Sequence, residues 1–256
     1  MSDSKRGRNL LVEGAVIVLS ILLAFAIDAS WEQRREASDA RQSIEVVRRD
    51  LIDMLKQLEE FEQFSAETAT ASIEAARALS GLNPVPVADR PQIEALILRS
   101  TSRRTMRLPQ AGYTDLLSTG SLSDIDNRAL RDSLVQFYEA AVRSQEIVEK
   151  NSSLFTDQML KDAVIAPGLL MPLPVENEAT KLQARRNAVM RELMGPEFPT
   201  RASRLWQLPM DSPELDRVVA ALLQNARGAT TGQVIARDTH DKATEVIRRI
   251  DEHLGE

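Results

Sequence analysis

This chain of 256 residues contains two histidines. Histidine side chains can act as bases, as acids or as metal ligands, so they are the first candidates for a chemical role. His240 has Asp238 and Asp241 close to it in sequence, but helical neighbours one and two positions apart point in different directions. A metal site would need ligands from another helix, and the sequence holds no H-E-x-x-H or Glu-x-x-His motif. We therefore interpret His240 as a polar histidine of the core or its rim and expect no metal.

Patterns for other kinds of catalysis are missing from the sequence as well. It contains no cysteine, which excludes disulfides, thiolate metal sites and cysteine nucleophiles. The G-x-S-x-G spacing of a nucleophile elbow is not met, and no glycine-rich phosphate loop follows a strand-like run. The net charge of −6 gives no indication of nucleic acid as a partner. We expect a protein that is not an enzyme, uses no cofactor and does not bind nucleic acid.

The composition favours helices. Aromatic residues make up 4% of the chain and glycines number only 10, whereas good helix formers such as alanine, leucine, arginine and glutamate are plentiful. The sequence predicts an all-α fold, in which one N-terminal transmembrane helix continues into an elongated antiparallel bundle of long, coiled-coil-like helices.

An apolar stretch near the amino terminus is expected to position the elements that follow it. Leu10–Ile27 contains a single charged residue, Glu13, and a helix of about 18 residues is about 27 Å long, close to the hydrocarbon thickness of a bilayer. Basic residues precede the stretch, and Asp28 and Trp31 follow it, as at a membrane interface. The predicted organisation is a short tail over residues 1–9, a single-pass transmembrane helix over residues 10–29 and a helical-bundle domain over residues 30–256.

A cleavable signal peptide is the main alternative to an anchor. Ala24 and Ala26 fit the small-x-small pattern before a cleavage site, but Glu13 would place a charge inside the apolar region of the signal, and the helical pattern continues past Trp31. Basic residues are nearly balanced on the two sides of the stretch. Because a short basic tail usually stays in the cytoplasm, we expect a protein of the bacterial inner membrane with its C-terminal domain in the periplasm.

Glu13 itself allows two interpretations. An ionisable residue in a membrane span is by default a functional candidate, yet near the cytoplasmic end its carboxylate can reach headgroup water. Alternatively, it hydrogen-bonds a neighbouring membrane helix, with Gly14 and Ser20 allowing close approach. The residues that we assign to membrane anchoring and assembly are Glu13, Gly14, Ser20, Asp28 and Trp31.

Heptad-like spacing predicts two long helices. The first covers residues 30–80 and is expected to end at Gly81; its small or apolar positions are Ala37, Ala40, Ile44, Val47, Leu51, Met54, Leu58, Phe61, Ser65, Thr68 and Ser72. Ser212 and Pro213 open the last helix, which runs to about His253. Its repeating positions are Leu215, Val219, Leu222, Ala226, Ala229, Gln233, Ala236, His240, Ala243, Ile247, Ile250 and Leu254. Two such helices would pack closely and antiparallel.

Shorter or less regular helices are expected between these two. Their ranges are Arg90 (or Pro91)–Arg99, Pro109–Thr119, Asn127–Ala163 and Glu176–Met194. Asp89 can cap the first and Gly120 closes the second, while Ser123 and Asp126 have the spacing of a capping box before the third. The apolar face of the third is predicted at Leu130, Leu134, Phe137, Tyr138, Ala141, Ile147 or Val148, Phe155 and Met159.

A basic run lies between two of these helices, at Arg99, Arg103, Arg104 and Arg107. We interpret it as a solvated face or a helix C-terminus. Anionic lipid or an acidic partner is the alternative.

Two blocks of the sequence resemble a known family. The first is Tyr113-x-x-Leu116-Leu117-Ser118-Thr119-Gly120-Ser121-Leu122-x-x-Ile125-x-Asn127-x-x-Leu130-x-x-x-Leu134-x-x-Phe137-Tyr138, and the second is the anchor pattern of Glu13, Gly14, Ala24, Asp28, Trp31 and Glu32. Together they resemble a family of uncharacterised bacterial membrane-anchored proteins with a single amino-terminal span. The resemblance implies topology and fold, and it implies no activity. We interpret Tyr113, Gly120 and Leu122 as structural residues that lock a helix corner.

An uncharged, proline-rich segment follows over Ala163–Val175. Prolines prevent a regular helix here, so the segment either covers the end of the bundle or forms an exposed apolar patch for a partner or the membrane surface. The candidate partner-loop residues are Pro167, Leu169, Leu170, Met171 and Pro172.

These patterns favour an accessory or scaffold protein. We expect it to contact the lipid bilayer and to bind other membrane or periplasmic proteins or copies of itself. The alternative is a helical-bundle ligand sensor, which would act through a partner because only residues 1–9 precede the span. An unrecognised hydrolase is the third possibility.

Overall fold

A computed structural model of the chain describes residues 3–81, 84–170, 188–189, 192 and 203–255, without the side chains of residues 3–19, 33, 36 and 37. Six α-helices lie in the described ranges: α1 (Asp3–Leu79), α2 (Arg90–Ser100), α3 (Ala111–Thr119), α4 (Arg128–Asn151), α5 (Lys161–Val164) and α6 (Pro213–Leu254). A π-helix, Ser152–Leu160, joins α4 to α5, and short 3₁₀ turns cover Val87–Asp89 and Arg204–Gln207. The described part of the chain contains no strand, which confirms the all-α prediction.

The heptad predicted for α1 is confirmed. Every predicted position from Ala40 to Ser72 is buried, and the side chain of Ala37 lies outside the description. The helix continues without interruption through Asp28–Ser30 and ends at Leu79, two residues before Gly81. Steps of three and four keep one face of an α-helix turned to the same side, which is why a strict spacing predicts burial so well here.

The chain divides into two compact units. Unit 1 consists of Met1–Asp53, Pro109–Tyr138 and Thr244–Glu256. Unit 2 consists of Met54–Leu108 and Glu139–Ala243. Helices α1, α4 and α6 each contribute residues to both.

In unit 1, α1 packs against the end of α6. Arg48 pairs with Asp251, and Arg41 donates a hydrogen bond to the carbonyl of Leu254 at 3.1 Å. Residue numbers rise along α1 as they fall along α6, so these two helices run antiparallel within the unit. The buried apolar side chains are Ala40, Ile44, Val47, Leu51, Leu116, Ile125, Leu130, Leu134, Phe137, Tyr138, Val246, Ile250 and Leu254.

In unit 2, α1 and α6 are again antiparallel: Gly232 lies beside Phe61 and Ser65, and Asn225 bonds to Ser72. An apolar cluster fills one region of this unit. Its buried members are Ala75, Ala76, Leu79, Ile97, Leu160, Ala163, Val164, Leu169, Leu170, Leu205, Leu215, Val218, Ala221 and Leu222.

The long helix predicted over Asn127–Ala163 is present, but its inner face changes register. Up to Val148 the predicted face is buried, with Ile147 exposed. Beyond it, Thr156 and Leu160 are buried while the predicted Met159 is 36% exposed. The prediction for Met159 was wrong because the π-helix bonds residue i to i+5, which widens each turn and moves the inner face forward by one residue.

Two predicted helix caps were also wrong. The 3₁₀ turn before α2 runs straight into it, so Asp89 has helical dihedrals and makes no side-chain cap bond. Ser123 donates back to the carbonyl of Gly120 at 2.7 Å, and Asn127 caps α4 by accepting the N–H of Leu130 at 3.1 Å. Helix α3 begins at Ala111 rather than at Pro109.

Several predictions fall wholly or partly outside the described residues. They include most of the helix over Glu176–Met194 and the side chains of Glu13 and Gly14. Among the described residues, none of the helices combines the length and the apolar character needed to cross a membrane. The first half of the stretch Leu10–Ile27, residues 10–19, is not among the described side chains.

Candidate functional site

Two features of the described residues invite a functional interpretation: an exposed apolar segment of α1 and a polar centre inside unit 2. In the first, every residue from Ser20 to Glu32 is exposed. The exposed fractions of its large apolar side chains are 50% for Ile21, 59% for Leu22, 63% for Leu23, 67% for Phe25, 48% for Ile27 and 68% for Trp31. A contiguous exposed apolar patch is characteristic of a surface that contacts lipid or another protein.

The polar residues that follow this segment lie on the same helix. Trp31, Glu32, Arg34, Arg35 and Asp39 surround an open depression on its surface. An amphipathic indole beside arginine side chains suits the boundary between an apolar phase and water.

The polar centre of unit 2 is Asn225, which is 2% exposed. Its amide nitrogen donates to the hydroxyl of Ser72 at 3.1 Å and to the carbonyl of Ser100 at 3.0 Å. Its amide oxygen accepts the hydroxyl of Thr156 at 2.7 Å. This single side chain therefore ties α6 to α1, α2 and the π-helix.

The other buried hydroxyls of this centre are satisfied too. Ser72 donates to the carbonyl of Thr68 at 2.9 Å, and Ser100 donates to the carbonyl of Leu96 at 2.8 Å. A buried polar network stabilises a unique packing when all its members are bonded, and is costly when it is broken.

A small cavity of about 30 Å³ lies beside Asn225. Ser65, Thr68 and Thr156 contribute polar atoms to its wall, with the rings of Phe61, Phe64 and Phe155 around them. Ser65 is 3% exposed. The volume is enough for a water molecule and too small for a substrate or a cofactor.

Two glycines of α6 shape this region. A Cβ at Gly228 would lie 2.6 Å from Cδ2 of Phe155, so only a glycine lets that ring pack here. A Cβ at Gly232 would lie 3.4 Å from the hydroxyl of Ser65 and 3.5 Å from the ring of Phe61, which are ordinary contacts. The first glycine is therefore required by its neighbour, and the second is not.

The basic run is paired rather than free. Arg103 binds both Glu149 and Asp157, Arg99 binds Glu67, and Arg104 binds Glu60, while Arg107 is exposed. Arg103, Arg104 and Arg107 are exposed and Arg99 lies in the last turn of α2, which agrees with the interpretation as a solvated face or a helix C-terminus, and the pairs connect the run to neighbouring helices.

Two pKa values reflect this pairing. The hydrogen bond to Glu149 raises the pKa of Arg103 above its ordinary range. Burial alone would raise the pKa of Asp157, but the bonds from Lys161 and Arg103 outweigh it and lower that pKa. Both side chains therefore stay charged at any pH near neutrality.

His240 lies at the rim of unit 2. Its Nε2 is 3.4 Å from a carboxylate oxygen of Glu59, and its Nδ1 is 3.6 Å from one of Asp241. No group of three metal-binding side chains occurs in the described part of the chain.

The residues assigned to the helix corner lie in unit 1. The ring of Tyr113 stacks on that of Tyr138 with centroids 4.1 Å apart and planes 7° from parallel. Gly120 ends α3 with a φ of 80°, a left-handed conformation that suits glycine. The N–H of Leu122 donates to the carbonyl of Leu116 at 3.2 Å.

The candidate partner loop is divided. Leu169 and Leu170 are buried in the apolar cluster of unit 2, so they cover the interior rather than form an exposed patch. Pro167 is exposed, and Met171 and Pro172 lie outside the described residues.

Asn225 is not among the residues that the sequence patterns single out. A lone asparagine beside the apolar positions Leu222 and Ala226 was the available signal, because such a residue must find partners if its helix face is buried.

No family model, no curated protein and no solved structure matches the chain.

Proposed function

We propose that the chain is a membrane-anchored helical accessory protein. In this proposal the apolar segment of α1 enters a bilayer, and the helical units bind other membrane or periplasmic proteins or further copies of the chain. The observation that carries the proposal is the exposure of the large apolar side chains between Ile21 and Ile27, each 48–67% exposed. Apolar surface left uncovered by its own chain is stabilised only when lipid or a partner covers it.

Two further features support an anchor at this place. The backbone of α1 is one helix from Asp3 to Leu79, so the whole stretch Leu10–Ile27 belongs to a single helix. Trp31 follows the stretch, where an indole would reach the headgroups. The sequence favours the inner membrane of a bacterium, with the domain outside the cytoplasm. The resemblance to uncharacterised membrane-anchored proteins favours the same location.

The alternative functions have less support. A ligand sensor needs an enclosed pocket. The cavity beside Asn225 has about 30 Å³, which is room for water, and the larger depressions beside Trp31 and beside Leu130 are open to solvent. A hydrolase needs a nucleophile beside a base, and the sequence holds neither a cysteine nor the G-x-S-x-G spacing of a nucleophile elbow.

Membrane fractionation tests the anchor. The full chain is expressed with Leu22, Leu23 and Phe25 replaced by lysine, and its distribution after alkaline extraction is compared with that of the parent. A lysine costs about 3 kcal/mol at the centre of a span and less towards its ends, so three lysines on the C-terminal side of the span are expected to move the chain from the membrane to the soluble fraction.

A matched control carries three lysines at equally exposed apolar positions of unit 2: Ile147, Leu223 and Val234, which are 47%, 51% and 61% exposed. This control is expected to remain in the membrane. A parent chain found in the soluble fraction would contradict the anchor, and a control that leaves the membrane would mean that unit 2 makes the contact.

Cross-linking in intact cells tests the accessory role. We expect a stoichiometric adduct with a membrane protein or a second copy of the chain. Glu13→Leu then tests the interhelical bond, because leucine cannot form a hydrogen bond and an unchanged adduct would exclude a role for that side chain in assembly. A chain that forms no adduct while it stays in the membrane would contradict the accessory role and leave the anchor intact.

A further inference from the structure

The π-helix of unit 2 lies where two helical registers compete. Spacing of three and four along the sequence would place Phe155 and Met159 on the inner face of a continuous α-helix. The structure instead buries Thr156 and Leu160, at 7% and 0% exposed, and leaves Met159 at 36%. Neighbouring residues thus offer two inner faces, one for each register.

At residues 159 and 160, apolar burial does little to choose between these faces. Leucine and methionine bury similar apolar surface and exchange readily in cores. The two faces differ chiefly at the preceding inner position, where a threonine takes the place that an α-register would give to a phenylalanine. A buried threonine needs a partner for its hydroxyl.

Asn225 supplies that partner. Its amide oxygen accepts the Thr156 hydroxyl at 2.7 Å, while its nitrogen is held by Ser72 and Ser100. The asparagine is therefore fixed from two other helices and presents its oxygen to the π-helix. Gly228, one turn further along α6, leaves room for the ring of Phe155 in this register.

We propose that Ser152–Leu160 is a two-register element, and that Asn225 selects the π register by accepting the Thr156 hydroxyl. In the second register the segment is α-helical, and Met159 occupies the place of Leu160. A bistable segment of this kind is how a local change becomes a shift of a whole helix end.

The register would be communicated to the surface of unit 2. Asp157 follows Thr156 and binds both Arg103 and Lys161. A turn that moves Thr156 away from Asn225 also turns Asp157 away from Arg103. Arg103, in the connection after α2, would then lose one of its two ion pairs.

Thiol labelling tests the proposal, because the chain has no cysteine of its own. Met159→Cys and Leu160→Cys are made separately in the full chain, each with and without Thr156→Val, and their rates of reaction with a maleimide are measured. In the parent register the first is expected to react fast and the second slowly. Loss of one buried hydrogen bond changes an equilibrium by about tenfold, so Thr156→Val is expected to lower the ratio of the two rates by about that factor.

Thr239→Val is the matched control. Thr239 is 3% exposed and its hydroxyl bonds only within its own helix, to the carbonyl of Ile235 at 2.8 Å. This variant is expected to leave the ratio at its parent value. An unchanged ratio in Thr156→Val would overturn the proposal, and so would faster labelling at both positions, which indicates local unfolding rather than a second register.

A second measurement leaves residue 160 intact, since Leu160→Cys also removes core volume. The methyl resonance of Met159 is followed by NMR in the cysteine-free chain. In Thr156→Val it is expected to shift from an exposed to a buried position and to lose access to a soluble paramagnetic probe. A methyl group that keeps its parent accessibility would overturn the proposal independently of the labelling.

Discussion

Asn225 in unit 2 and Tyr138 in unit 1 are buried to the same degree, at 2% and 1% exposed, and differ in what their polar atoms meet. Asn225 makes three hydrogen bonds to three other elements. The hydroxyl of Tyr138 has no hydrogen-bond partner among the described residues. Equal burial thus has opposite consequences, because a satisfied polar atom stabilises its neighbours and an unsatisfied one costs free energy.

The ring of Tyr138 makes the contacts that stabilise its buried position. It stacks on Tyr113 and meets Phe137 edge to face, with centroids 5.2 Å apart and planes at 78°. Aromatic burial and pairing outweigh one unpaired hydroxyl. The interior of unit 1 is thus held by shape, whereas unit 2 depends at its centre on one amide.

Removing that amide should have the largest effect. We expect Asn225→Ala to lower the free energy of unfolding by about 3 kcal/mol, because it leaves the Ser100 carbonyl and the Thr156 hydroxyl without a partner. Denaturant unfolding followed by circular dichroism measures the loss. Gln224→Ala, at the half-buried neighbouring position, is the control and should stay within about 0.5 kcal/mol of the parent. A loss below 1 kcal/mol for Asn225→Ala would show that the centre of unit 2 does not depend on the amide.

The two glycines of α6 come next in size. Gly228→Ala places a methyl group 2.6 Å from the Phe155 ring, and overpacking of this kind costs about 2 kcal/mol, less up to about 1 for alanine's better helix propensity. Gly232→Ala meets only ordinary contacts, so the same propensity makes it neutral or stabilising. Thermal unfolding of the two variants side by side measures the difference. Equal melting temperatures would mean that the Phe155 ring moves freely and that the close contact carries no cost.

The inner face of α1 and the bonds of Asn225 show what the sequence could and could not predict. A helix face is visible whenever apolar residues recur by threes and fours, which is why the buried positions of α1 from Ala40 onward were predictable. The bonds of Asn225 were not, since its partners lie 69 to 153 positions away in the chain. A long-range polar contact leaves no local pattern.

The π-helix and the boundary between the two units leave no local sequence pattern, for related reasons. A spacing rule assumes an α-helix, so it continues the face to Met159 although the wider turns of Ser152–Leu160 bury Leu160 instead. The long helices α1 and α6 show no break where the units divide, because the division follows tertiary contacts and not the backbone. The apolar segment of α1, by contrast, could be recognised from its run of apolar residues in the sequence.

Alkaline pH should lower the free energy of unfolding of the parent by about 1 kcal/mol more than that of Tyr138→Phe. Burial, with smaller contributions from Asp50 and Tyr113, raises the pKa of Tyr138 well above its ordinary value. An unfolded tyrosine ionises near pH 10, so this contribution is fully present below pH 10. It is lost as pH rises further, at up to about 1.4 kcal/mol per pH unit. Denaturant unfolding at pH 9 and pH 11 should show a larger loss for the parent than for Tyr138→Phe. Equal losses would mean that the buried hydroxyl ionises as easily as a free one.

At neutral pH the same substitution has the smallest expected effect and the most informative sign. Tyr138→Phe keeps the ring against Tyr113 and Phe137 and removes only a hydroxyl that has no partner among the described residues. Deleting an unpaired buried polar atom removes the unfavourable desolvation free energy of that atom from the folded state. We therefore expect the free energy of unfolding to rise by about 0.5 kcal/mol. The paired variant Tyr113→Phe changes the half-buried partner of the stack and measures how much any aromatic hydroxyl contributes here. A loss of more than about 1 kcal/mol in Tyr138→Phe would mean that the hydroxyl does bind a partner. The contrast with Asn225 would then be one of degree, because both units would depend on a buried hydrogen bond.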